Sequence, residues 1–75
     1  MSVRLEIVSG DDNVTYAYLR GTHESNPLIT ETWSIVRAAL ANGSVSLLDT
    51  RDSLVAKLEA QYANYQASQA LLQQL

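Results

Sequence analysis

The sequence predicts an α+β fold, an N-terminal β-hairpin packed against two helices, within one small domain spanning residues 1–75. Three observations carry this prediction. Residues 3–8 (VRLEIV) alternate apolar and charged side chains, the period of a half-buried strand. Ile29, Trp33, Val36 and Leu40 recur at spacings of four, three and four, the period of one helix face. Residues 60–75 carry no charge and are dense in Ala, Gln and Leu, a composition that favours a long terminal helix.

The hairpin is assigned to residues 3–20. Its second half, residues 14–20 (VTYAYLR), is rich in β-branched and aromatic types. Ser9 to Asn13 lies between the halves and supplies residues that tolerate turn geometry. Pairing Ile7 with Tyr16 and Leu5 with Tyr18 leaves Asp11-Asp12 as the turn. Val3, Leu5, Ile7, Tyr16 and Tyr18 then share one face. A slip of one residue would place both tyrosines with Arg4 and Glu6 instead.

Residues 21–26 read as a connector, and Asn26-Pro27 suits the start of a helix over about 27–42. Asn42-Gly43 suits its end. Residues 45–48 (VSLL) fit either a short third strand or the approach to the last helix; Gly43 before them and a capping residue after them favour the strand. Asp49 or Thr50 is the expected cap of a helix over about 50–75, with Asp52 in its first turn.

That helix would be roughly 37 Å long, whereas a compact chain of this length has a diameter of about 30 Å. Its side chains form two rows. Val55, Leu58, Tyr62, Tyr65, Gln69 and Leu72 follow the three-four alternation of a coiled-coil seam. Ala56, Ala60, Ala63, Ala67 and Ala70 follow the same alternation on nearly the opposite side. Two non-polar faces call for two packing partners, the chain's own fold and a second subunit. The expected contact residues are Ala56, Leu58, Ala60, Tyr62, Ala63, Tyr65, Ala67, Ala70 and Leu72, in a homodimer or against another protein.

Composition narrows the function. The net charge is −3 and the five basic residues are scattered, which disfavours direct nucleic-acid binding. There is no Cys, no apolar run of membrane-spanning length and no leader-like N-terminus, so a cytoplasmic protein off the membrane is the expectation. No catalytic, cofactor-binding or metal-ligating set stands out. Thr22, His23 and Glu24 could sketch a nucleophile, base and acid, but adjacent loop residues do not fix that geometry. Ser9, Asp11, Asp12 and Asn13 lack calcium-loop spacing and are explained by a turn. Trp33 is most simply core, and no glycine-rich phosphate cradle exists.

The resulting expectation is a non-enzymatic adaptor, inhibitor or assembly factor that self-associates through its last helix. Two other classes remain. One is an enzyme or ligand-binding protein whose pocket, at a dimer interface, uses His23, Tyr16 or arginines of two subunits. The other is a nucleic-acid-linked regulator that places Arg20, Arg37 and Arg51 from two subunits on one surface.

Overall fold

A computed structural model describes residues 2–75. The chain forms β1 (Val3–Val8), β2 (Tyr16–His23), β3 (Asn26–Val36), a short α1 (Arg37–Ala41) and α2 (Leu47–Leu72). The three strands make one antiparallel sheet in the order β1-β2-β3. α2 packs on one face of that sheet, and among the described residues no layer covers the other face. The α+β class therefore holds, with the third strand at Asn26–Val36 in place of the expected first long helix.

The correction falls on residues 27–42. Residues 26–36 are a strand paired along β2, and only Arg37 to Ala41 is helical. β-Branched residues at Ile29, Thr30, Thr32, Ile35 and Val36 favour the extended chain. Ile29, Trp33 and Ile35 turn toward α2, whereas Thr30, Thr32 and Ser34 are exposed, a period of two. Residues 45–48 are not a strand. Val45 packs against the core, Ser46 caps α2 by accepting from the Asp49 amide at 3.3 Å, and Leu47 opens the helix. The cap is thus Ser46, not Asp49 or Thr50.

The hairpin register also differs. β1 pairs with β2 as Val3↔His23, Leu5↔Gly21 and Ile7↔Leu19. This register is displaced by three residues from the expected pairing of Ile7 with Tyr16. Because three is odd, Tyr16 and Tyr18 move to the open face with Arg4 and Glu6. The wider loop is held by its own acidic and amide side chains. Asp12 accepts from the Val14 and Thr15 amides at 2.9 Å, and Asn13 accepts from the Gly10 amide at 2.9 Å. The Tyr18 ring lies directly beneath Gly10, where a Cβ would meet it at 2.2 Å.

The core is small. Val3, Leu19, Ile35, Leu54 and Leu58 are buried, with Leu5, Ile29, Trp33 and Val55 packed around them. Gly21 lies beneath α2, and a Cβ there would stand 2.5 Å from Leu58 and 3.3 Å from Leu54. Its bare backbone lets the helix settle on the sheet.

Candidate interaction surface on the last helix

α2 is anchored over the sheet by Leu54 and Leu58, both fully buried. On one flank Lys57 reaches Glu31 at 3.6 Å, and Gln61 donates to the same carboxylate at 3.0 Å. Lys57 also lies 5.9 Å from the centre of the Trp33 ring. On the other flank Tyr62 stacks on His23 with ring centres 4.1 Å apart and planes 19° from parallel.

His23 is the buried end of β2, which corrects the expectation of a connector over residues 21–26. Its Nδ1 accepts from the Ser25 amide at 3.1 Å, which places the proton of the neutral ring on Nε2. Nε2 lies 3.3 Å from Glu59 Oε1, at an angle outside hydrogen-bond geometry. The neighbouring Thr22 points to the opposite sheet face, where its hydroxyl meets that of Thr30 at 2.6 Å. Alternation along β2 therefore separates Thr22 from His23, and no nucleophile–base pair forms. His23 and Tyr16 likewise lie on opposite faces, since their positions along one strand differ by an odd number.

Beyond Tyr62 the sheet ends and the helix continues. Every residue from Ala63 to Leu75 is exposed. At 100° per residue, Tyr65 and Leu72 lie within about 20° of the direction Leu54 takes into the core. The core-facing row thus runs off the sheet and is uncovered among the described residues: Tyr65 is 38% exposed and Leu72 is 59% exposed. Ala63 lies about 180° from Leu54, and the alanine row faces solvent along the whole helix.

The expected contact residues therefore separate into three groups. Leu58 is core within the chain and is corrected out of the surface. Tyr62 is half-buried against His23, and Tyr65 and Leu72 continue its side of the helix. Ala56, Ala60, Ala63, Ala67 and Ala70 form the far side. With apolar residues on both sides, the helix has almost no net hydrophobic direction, so it is two-faced and not amphipathic in the usual sense.

A second apolar surface has no counterpart among the sequence-based expectations. Leu5, Ile7, Leu19, Leu47 and Leu48 line an open groove of about 460 Å³ beside β1, together with Glu6 and Arg51. Its one local signal is Ile7, which the alternation of β1 places on the α2 side of the sheet but at its outer end.

Arg20, Arg37 and Arg51 are each engaged within the chain. Arg20 holds Glu6 at 2.7 Å, Arg51 holds Asp52 at 3.0 Å, and Arg37 donates to the Asn13 and Tyr16 carbonyls. Among the described residues there is no group of three or more His, Cys, Asp or Glu placed to hold a metal ion. None of the described helices is long and apolar enough to cross a membrane. Comparison with protein-family models, curated proteins and solved structures gives no match.

Proposed function

We propose that this chain is a non-enzymatic interaction protein, an adaptor, inhibitor or assembly factor, that self-associates through the free half of α2. The observation that carries the reading is the core-facing row of α2 running past the end of its own sheet. Surface area supports it. A compact protein of this mass exposes about 4500 Å², and this chain exposes 5159 Å². The excess is close to the roughly 800 Å² that each partner contributes to a standard interface. Among the described residues five apolar side chains are buried, a small core for an isolated chain.

The preferred arrangement is antiparallel, with Tyr65 of one copy against Leu72 of the other and Gln69 near the two-fold axis. Each free helix end then occupies the layer that the other copy's sheet leaves empty. Light scattering across a concentration series tests it. The full chain is expected as a dimer or larger at micromolar concentration, and Tyr65→Ala or Leu72→Glu to weaken it. Ala63→Glu, on the solvent side, is expected to have no effect. A full chain that stays monomeric overturns the reading, and loss of assembly in Ala63→Glu alone moves the interface to the alanine row.

A further inference from the structure

We infer that the free edge of β1 is a second self-association surface, which pairs with β1 of another copy to make one continuous six-stranded sheet. The backbone decides which groups are free. The Glu24 amide donates to the Ser2 carbonyl at 2.7 Å, in the same register as Arg4↔Thr22 and Glu6↔Arg20. Even-numbered residues of β1 therefore spend their backbone groups on β2. The N–H and C=O groups of Val3, Leu5 and Ile7 point away from the sheet, on an edge that has no neighbouring strand among the described residues.

Two antiparallel copies of β1 can use these groups only in registers that set odd residues opposite odd residues. Three such registers overlap well. Centring the two-fold axis on Arg4 or on Glu6 opposes like charges. Centring it on Leu5 sets Leu5 opposite Leu5 and Val3 opposite Ile7. It also sets Arg4 opposite Glu6, twice by symmetry. That register closes about six backbone hydrogen bonds. Its Arg4–Glu6 pairs fall at non-hydrogen-bonded positions, where side chains approach most closely.

Side chains agree with this choice. Among the described residues Arg4 has no ion-pair partner, and Glu6 presents its carboxylate to Arg20 on the same open face. A second copy's Arg4 completes an Arg–Glu–Arg row across the junction. On the other face Ile7, 67% exposed, gains Val3 of the second copy as its cross-strand neighbour. The two apolar grooves beside β1 then share one floor. Arg4 and Glu6 could instead serve to keep an edge unpaired, which predicts no recovery in the mixing experiment below.

The test is a charge exchange in the full chain, read by light scattering, with circular dichroism to verify folding. Arg4→Glu and Glu6→Arg each place like charges opposite one another and are expected to weaken this contact about tenfold. An equimolar mixture of the two variants restores both opposite-charge pairs, so assembly is expected to recover only in the mixture. Ile7→Pro blocks an outward N–H without touching the β1–β2 ladder and is expected to abolish the contact. Wild-type assembly in both single variants, or no recovery on mixing, overturns the inference. Leu72→Glu separates the two surfaces. If it lowers the mass while Arg4→Glu does not, the free helix end stands and the β1 edge falls.

Discussion

At Gly21 a missing Cβ decides how closely α2 approaches the sheet. Leu58, Leu5 and Leu54 crowd the place a methyl group would take, at 2.5, 3.0 and 3.3 Å. Gly21→Ala is expected to destabilise the fold by about 1–3 kcal/mol through overpacking, measured by denaturant unfolding. Two surface carboxylates bear on acid stability. The Arg20 guanidinium, by hydrogen bonding first and by charge second, holds Glu6 below its ordinary value of 4.5. The Thr15 amide, then the Thr15 hydroxyl and the Val14 amide, hold Asp12 below 3.8. Both groups favour the folded state when ionised. Their contribution is complete above about pH 4.5 and is lost as pH falls through the lowered folded values. The melting temperature should drop on acidification below that point, and Glu6→Gln should flatten part of the slope. Both groups are exposed, so the effect is modest. His23 shows where reasoning from single residues stops: Gly21 looks like a strand breaker, yet the alternation Leu19, Gly21, His23 continues straight into the core.

Among the elements, β1 and α2 are legible in the sequence and β3 is not. Alternation in VRLEIV and the unbroken helical composition after Asp49 are strong local signals. Residues 26–36 carry two periods at once. Ile29, Trp33, Val36 and Leu40 fit a helix, while Ile29, Glu31, Trp33 and Ile35 share one side of a strand. Pairing along most of β2 decides between them, and such pairing is a tertiary fact that no local window contains. The start of α2 departs from expectation for a simpler reason. Ser46 is a better-placed cap than Asp49 because Leu47 and Leu48 already belong to the first turn. Ser46→Ala is expected to cost about 1 kcal/mol, visible as a lower unfolding midpoint with unchanged cooperativity.

At the scale of the whole molecule, the mismatch between helix length and domain size follows from the amino-acid sequence and elementary geometry. The chain measures 51 × 22 × 18 Å with a radius of gyration of 15.0 Å, against about 11 Å for a compact chain of this length. Which row of the helix overshoots does not follow from sequence. That depends on Leu54 and Leu58 meeting Gly21, and on the sheet ending at His23. The apolar groove beside β1 is equally hidden, because it joins residues far apart along the chain.

The free end of α2 has a further consequence for folding order. The segment from Ala63 to Leu72 has ten residues, fewer than the roughly 12–15 an isolated helix needs in water. That segment cannot nucleate on its own. Its turns propagate outward from the clamp formed by Tyr62 on His23, each added at little gain, so the tip is the last part to order and the first to fray. A neighbour that covers it would therefore hold those turns as well as bind them, and if that neighbour is the proposed second copy, helical content would rise with the chain's own concentration.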